Sequence, residues 1–207
     1  GWQAADRSYE ECVAFIRLMR DAVKSADPDA KIVLLAPTTG KKVDPYVVNI
    51  IKTLASERAF DAIDVHQWEP APFYKMPAVA EYRRLLNDLD LEHVEIWSTE
   101  NGTWQGHPSE PSIPQSEYDQ AMYLIKAYMY NLNHGLDKLF WNNLMEWHVF
   151  MGDPEHFSNA MGLISDGEGP GEDPNMFNTK RLAYFTYQLM TRKLEGSDWR
   201  TRRITME

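Results

Sequence analysis

Apolar residues follow two alternating patterns along the chain. Between residues 8 and 25 they return every three or four positions with charged residues between them, which predicts an amphipathic helix. The positions that show this period are Cys12, Phe15, Ile16, Met19 and Val23. Asp27 and Pro28 end the pattern. Residues 32–35 are then apolar on both faces, which is typical of a buried parallel strand.

The same alternation repeats three more times. Further helices are predicted over 45–59, with Asp44 as N-cap and Pro45 at the first helical position, over 78–89 and over 115–133, which Gly135 closes. Strands are predicted over 62–66, 94–99 and 139–141, and a last helix over 179–193 ends before Gly196. Ile32, Ile63 and Val94, at the starts of the first three strands, are spaced 31 residues apart, which is the length of one βα unit.

This repeat fits both an open doubly wound sheet and a closed barrel. Polar and aromatic residues crowd the carboxyl end of every strand, whereas the opposite connections are short, and this asymmetry favours an α/β fold of the TIM (β/α)₈ barrel type. The strand-end residues are Thr38 and Thr39; His66 and Trp68; Glu100, Asn101 and Trp104; and Trp141, Asn142 and Asn143.

Composition and charge limit the domain organisation and the partners that fit this sequence. The 207 residues are 43% hydrophobic, which fits one globular domain, expected over residues 1–196. The tail 197–207 alternates enough to begin an appended β segment but is too short to define one. The net charge of −10 without a basic cluster argues against nucleic acid and anionic membrane as partners. No apolar run is long enough to span a bilayer.

Several kinds of site are disfavoured by their missing motifs. There is no glycine fingerprint for a nucleotide, and the six histidines are scattered without a His-x-His at a strand end, as a metal-dependent hydrolase would need. The acidic loop over residues 166–174 lacks the spacing of an EF-hand and is expected to be solvated. Cys12 is the only cysteine and is expected to be a small buried hydrophobic residue.

Glu100 is the candidate for chemistry. It ends an apolar strand and precedes a glycine-containing polar turn, so it is expected at the mouth of a barrel, where a carboxylate can attack an anomeric carbon. His66 and Trp68 end the preceding strand, and an imidazole can orient a carboxylate while an indole stacks on a sugar ring. A surface ion pair for Glu100, a structural histidine and a packing tryptophan are the alternatives.

The order of these segments resembles the second half of a clan A glycoside hydrolase, the retaining (β/α)₈ superfamily that includes cellulase-like and xylosidase-like enzymes. Residues 27–37 resemble its fifth strand with the preceding helix end, residues 63–68 its sixth, residues 96–102 its seventh and residues 140–141 its eighth. Residues 162–164 and 180–185 resemble the closing loop and the final helix.

The resemblance implies a retaining β-glycosidase that needs no metal or organic cofactor. Glu100 would be the nucleophile, His66, Trp68, Trp104 and Trp141 would line the sugar subsites, and Asn101 or Asn142 would bind hydroxyls. Trp104 is also expected to wall one end of the cleft. The resemblance slightly favours a secreted or periplasmic protein.

The chain departs from the superfamily pattern at the acid/base residue. That residue is a Glu after Asn on the fourth strand, and the sequence contains no Asn-Glu pair; Glu146 and Glu69 are poor substitutes. Since the first strand corresponds to the fifth of a barrel, a missing amino-terminal half or a second chain is expected to cover its edge strands. The alternative function is a carbohydrate-binding pseudoenzyme on the same barrel.

Overall fold

The computed structural model describes residues 8–109, 112–146, 153, 155–168 and 174–197, with the side chains of 35–39 and 174 left out. These residues form one four-stranded sheet with helices between the strands. The strands are β1 (Val33–Thr39), β2 (Ala62–Trp68), β3 (Glu95–Gly102) and β4 (Lys138–Trp141). All neighbouring pairs are parallel and their spatial order follows the chain, β1-β2-β3-β4. The predicted succession of parallel strands and helices is confirmed.

Local sequence signals set where the helices begin. The helices are α1 (Tyr9–Ala26), α2 (Pro45–Leu54), α3 (Pro77–Asp88), α4 (Glu117–Asn133) and α5 (Leu182–Leu194). Ser8 and Ser116 form capping boxes with Glu11 and Asp119, and the Asp44 side chain accepts a hydrogen bond from the Tyr46 N–H, as its predicted role as N-cap requires. No helix in the described ranges is long and apolar enough to cross a membrane.

Two predicted helix limits need correction. The helix predicted over 45–59 ends at Leu54 and continues as a 3₁₀ turn, Ala55–Glu57, because Arg58 adopts a left-handed conformation with φ of 46°. The helix predicted from residue 179 begins at Leu182, since the Arg181 N–H bonds to the Leu163 carbonyl and the Thr179 carbonyl accepts from the Ser165 N–H. Of the predicted tail 197–207, residues 198–207 lie outside the described residues.

The core lies between the sheet and its covering helices. Ile63 and Val65 of β2 and Ile96 of β3 point toward the helices and are fully buried. They pack in a cluster that includes Ile51, Leu54, Tyr82, Leu86, Tyr123 and Leu124. Arg83 links this layer to the start of the strands: it donates to the Val94 and Gly135 carbonyls and contacts Asp137, which accepts from the Ile96 N–H.

The outer helices keep exposed apolar residues. On α1 the predicted apolar face is only partly covered, because Phe15, Leu18 and Met19 are 43%, 66% and 46% exposed. Cys12, expected to be buried, is half-buried against the core. On α5 the exposed residues are Leu182, Phe185 and Leu189. The inner face of the sheet adds Val33 and Phe140, so apolar surface remains uncovered at both flanks and on the inner face.

Candidate active site

A β-bulge shapes the carboxyl end of β3. Asp64 pairs with Trp97 and Gln67 pairs with Asn101, so β3 holds one more residue than β2 over this interval. The same extra residue appears against β4, where Ser98 pairs with Leu139 and Asn101 with Trp141. A bulge breaks the alternation of side chains along a strand and re-aims one of them. Here it allows two successive residues, Thr99 and Glu100, to face the same histidine.

Glu100 and His66 meet at the edge where the parallel strands end. His66 Nδ1 lies 3.6 Å from Glu100 Oε2, and the Glu100 side chain is 44% exposed while that of His66 is 18% exposed. The carboxylate is therefore open to a ligand and borders a group that can carry positive charge. The predicted neighbourhood of Glu100 and His66 is present in the structure.

Behind His66 lies Asp64, which the sequence analysis did not single out. His66 Nε2 is 2.9 Å from Asp64 Oδ2, and the Thr99 N–H donates to Asp64 Oδ1 over 2.8 Å. Burial raises the pKa of Asp64, but hydrogen bonds from His66 and Thr99 outweigh it and hold that pKa below its usual value. Burial lowers the pKa of His66. The hydrogen bond to Asp64 and the charges of Asp64 and Glu100 raise that pKa by more, so it lies above its ordinary value.

Trp68, Trp141 and Asn142 lie along the same edge and are half-buried. The Trp68 ring meets the His66 ring edge to face, with centroids 5.4 Å apart. The Trp141 indole N–H donates to the Met161 carbonyl over 3.0 Å, so its single donor is engaged and its ring surface is what it can offer to a sugar. The Asn142 N–H donates to the Asn101 carbonyl, which fixes the segment after β4 against β3.

Two residues expected at the sugar are buried instead. Asn101 is fully buried and its side-chain amide donates to the Gln67 carbonyl and the Tyr123 hydroxyl. Trp104 is 4% exposed, packs against Phe157 and donates to the Ile113 carbonyl over 2.7 Å. Direct sugar contact does not fit this burial. In the described structure both side chains are engaged within the protein rather than presented at the strand-end surface.

Neither substitute acid faces the cleft freely. Glu146 and Arg181 are buried, with side chains 0% and 1% exposed, respectively. Arg181 Nη2 lies 2.5 Å from Glu146 Oε1. Glu69 pairs with Lys41, with 2.7 Å between Oε1 and Nζ. Within the described ranges, no group of three or more His, Cys, Asp or Glu residues could hold a metal ion.

Asp64 and Thr99 are the site residues that sequence reasoning missed. A signal for Asp64 was available, since an aspartate interrupts the apolar strand over 62–65 and stands two residues before His66, on the same face of a strand. Thr99 gave no such signal. Thr99 lies two residues after Trp97 and shares its face by simple alternation, but its hydrogen bonds to Asp64 depend on how β2 and β3 are paired.

Solved structures with a similar arrangement include glycosidases. A β-glucuronidase from Bifidobacterium dentium matches over 92% of this chain with a TM-score of 0.58 and 13% identity, and one from Lactobacillus rhamnosus matches over 89% with 0.55 and 16%. A family 51 α-L-arabinofuranosidase from Bifidobacterium longum matches over 90% with 0.55 and 12%. The chain has the fold of part of a (β/α)₈ barrel.

This partial barrel spans 28%, 30% and 40% of the length of those three enzymes, respectively. No protein-family model matches the sequence, and no curated protein sequence matches it. At these identities the likeness concerns the fold. In such barrels the carboxyl ends of the strands carry the active site, and that is the edge where Glu100, His66 and Trp141 lie.

Proposed function

We propose that this chain forms part of a retaining glycoside hydrolase that cleaves β-glycosidic bonds of oligo- or polysaccharides. The observation that carries the proposal is the Glu100 carboxylate, which is 44% exposed at the carboxyl edge of the sheet, 3.6 Å from His66. A retaining glycosidase needs a carboxylate below the sugar ring, and Glu100 presents one at this edge beside the His66 ring. The fold likeness to glycosidases supports the same reaction class.

The reaction would proceed by two displacements. Glu100 attacks the anomeric carbon, and the bond to the leaving oxygen breaks as a carboxylic acid protonates that oxygen. Water, deprotonated by the same group, then displaces Glu100 and releases the sugar. Glu146 and Glu69 are engaged in ion pairs. The proposal therefore assigns the acid/base carboxylate to a part of the barrel beyond these 207 residues, which would also cover the exposed edges and apolar flanks.

A fluorosugar trap tests the assignment. In the natural polypeptide that contains this chain, a 2-fluoro glycosyl fluoride should form a stable ester on Glu100, identified by peptide mass spectrometry, because the fluorine slows the second displacement. Glu100→Gln should prevent labelling and abolish hydrolysis, whereas the control Glu81→Gln, at an exposed position on α3, should change neither. Labelling of another carboxylate would overturn the assignment of Glu100.

A carbohydrate-binding pseudoenzyme is the second candidate. The engaged state of Glu146 and Glu69 favours it, because neither supplies a free acid beside Glu100. A glycan array and a hydrolysis assay on the same natural polypeptide separate the two functions. Binding without product at any pH would support the pseudoenzyme, and product release would exclude it.

A further inference from the structure

Asp64 is an ionisable residue inside an apolar strand. It is 5% exposed, and burial of a carboxylate is costly unless hydrogen bonds compensate. Its hydrogen-bond donors come from the direction of the active site: the Thr99 N–H, the Thr99 hydroxyl and His66 Nε2. One of these donors, His66, is also the residue whose Nδ1 lies 3.6 Å from Glu100 Oε2, so Asp64 is connected to Glu100 through a single side chain.

The contacts of Thr99 decide which nitrogen of His66 carries the proton. The Thr99 hydroxyl donates its only hydrogen to Asp64 Oδ2, so its oxygen presents lone pairs to His66 Nε2 over 3.2 Å. Both oxygens close to Nε2, those of Asp64 and Thr99, are therefore acceptors, and Nε2 must be the N–H. In neutral His66, Nδ1 would then direct a lone pair at the Glu100 carboxylate. Nδ1 can donate to Glu100 only in the imidazolium form.

We infer that Asp64 and Thr99 are positioning residues, which fix His66 with its Nε2–H toward Asp64 and its Nδ1 toward Glu100, so that the imidazolium binds the Glu100 carboxylate. The inference deepens the proposed function and, for its catalytic consequence, rests on it. Asp64 acts through His66 and does not touch the substrate.

The surrounding charges agree with this geometry. Among the described residues, the charged groups that act on His66 are Asp64 from its own strand and Glu100 from β3; on the β1 side the Gly40 N–H bonds to the His66 carbonyl. Both charged groups are anionic and raise the pKa of His66. When Glu100 becomes a glycosyl ester it loses its charge, so the imidazolium stabilises free carboxylate more than ester. That difference favours departure of Glu100 in the second displacement.

The test measures the protonation state of His66 directly. In the natural polypeptide that contains this chain, labelled with ¹⁵N-histidine and with the His66 signals assigned through His66→Gln, the ring nitrogen shifts are followed against pH. The wild-type chain should titrate above about 6.5 and show the Nε2–H tautomer above its pKa. In Asp64→Asn the amide presents N–H to Nε2. The pKa should therefore fall by about one pH unit or more and the tautomer should switch to Nδ1–H.

Two further variants complete this experiment. Thr99→Val should lower the pKa of His66 by less than Asp64→Asn does, because Asp64 remains. Asp61→Asn is the matched control, since Asp61 immediately precedes the same strand and binds the Ile32 N–H and Lys24 instead. It should leave His66 unchanged. If wild-type His66 is the Nδ1–H tautomer, or if Asp64→Asn changes neither tautomer nor pKa, the inference is overturned. The wild-type tautomer decides the question even where Asp64→Asn fails to fold.

Activity assays distinguish a failure of this inference from a failure of the proposed function. In the natural polypeptide, Asp64→Asn should lower kcat without raising KM, and should move the alkaline limb of the kcat profile to lower pH, because the second displacement contributes to kcat and not to kcat/KM. The expected tautomer without any glycoside hydrolysis would refute the proposed function alone. Hydrolysis by Asp64→Asn with an unchanged pH profile would refute the positioning role alone.

Discussion

At the scale of single residues, the buried pair of Glu146 and Arg181 shows how environment decides the role of a carboxyl group. Burial raises the pKa of Glu146 to about 7, although Arg181 and the Asp166 N–H act in the opposite direction. The packing is tight, since a Cβ added at Gly162 would lie 2.5 Å from the Glu146 side chain. Glu146 therefore anchors the loop after β4 to the start of α5.

Removal of Arg181 should make stability more dependent on pH. The folded pKa of Glu146 lies above its ordinary value, so the unfolding free energy falls as pH rises from about 4.5 to about 7. In Arg181→Met that pKa rises further, and the decline of about 1.4 kcal/mol per pH unit should continue above pH 7. Denaturant titrations at pH 5, 7 and 9 should show a widening gap from wild type.

A double variant provides the control for this pH effect. Glu146→Gln in the Arg181→Met background removes the titrating group, so its stability should no longer decline above pH 7. A gap between Arg181→Met and wild type that stays constant from pH 5 to pH 9 would contradict the coupling of the two side chains.

Sequence position alone predicted where some site residues lie and not others. Glu100 and His66 could be predicted because each ends a strand, and strand ends meet at one edge of a parallel sheet. Successive residues of a strand point to opposite faces, so Asn101, next to Glu100, was poorly placed to share its cleft. Trp104 follows the strand, and its burial against Phe157 and Ile113 depends on distant segments that no local pattern reveals.

At the scale of elements, the contact between β3 and the loop after β4 has little room. Gly102 faces this loop, and a Cβ at Gly102 would lie 2.7 Å from both the Asn142 carbonyl oxygen and Met161 Cε. Gln120 of α4 supports the same region, where its side-chain amide faces the carbonyls of Thr103, Met161 and Gly162. The position of Trp141 and Asn142 therefore depends on glycine at residue 102.

Gly102→Ala should displace this loop. We expect a loss of about 1–3 kcal/mol in unfolding free energy from overpacking, measured by urea denaturation, with a change in tryptophan fluorescence in the native state. Gly196→Ala is a contrast, because nothing lies within 4 Å and only its φ of 77° opposes a side chain. That change should cost about 1 kcal/mol and leave the native fluorescence unaltered. An unchanged native spectrum in Gly102→Ala would refute the displacement.

Element order was more predictable than element detail. Periodicity identified five helices and four strands, and Asp44 with Pro45 predicted the start of α2. The 3₁₀ turns Ala71–Phe73 and Phe157–Ala160 and the bulge in β3 were not foreseen. Short turns and bulges depend on pairing with neighbouring segments, which a single-chain pattern does not contain.

At the scale of the whole molecule, the partial barrel exposes apolar flanks that a complete barrel would cover. Leu18 on α1 and Leu189 on α5 are 66% and 60% exposed, and Phe140 on the inner face is 46% exposed. The order of the strand-end motifs allowed the partial-barrel fold to be predicted. What covers these flanks could not be predicted, because an apolar surface does not specify the segment or chain that packs on it.

The 207-residue chain alone should hydrolyse no glycoside, although it carries Glu100. Protonation of the leaving group typically contributes a factor of about 10² to 10⁴, and an open cleft also misplaces the nucleophile. Fluorogenic glycosides assayed with this chain and with the natural polypeptide should give product only in the second case. Sedimentation velocity should show self-association of the short chain, reduced by Leu18→Lys and Leu189→Lys. Turnover by the short chain as a monomer would contradict this expectation.

The strictly sequential pairing of the strands has a consequence for synthesis in the cell. In the described sheet, β2, β3 and β4 each form hydrogen bonds with the strand translated just before them, which has already left the ribosome. Each βα unit can thus dock as it emerges, which keeps loop-closure entropy low and shortens the time that each new strand edge is open to aggregation. Asp64 is made before Thr99 and Glu100, so β3 meets a histidine whose carboxylate partner is already in its own strand.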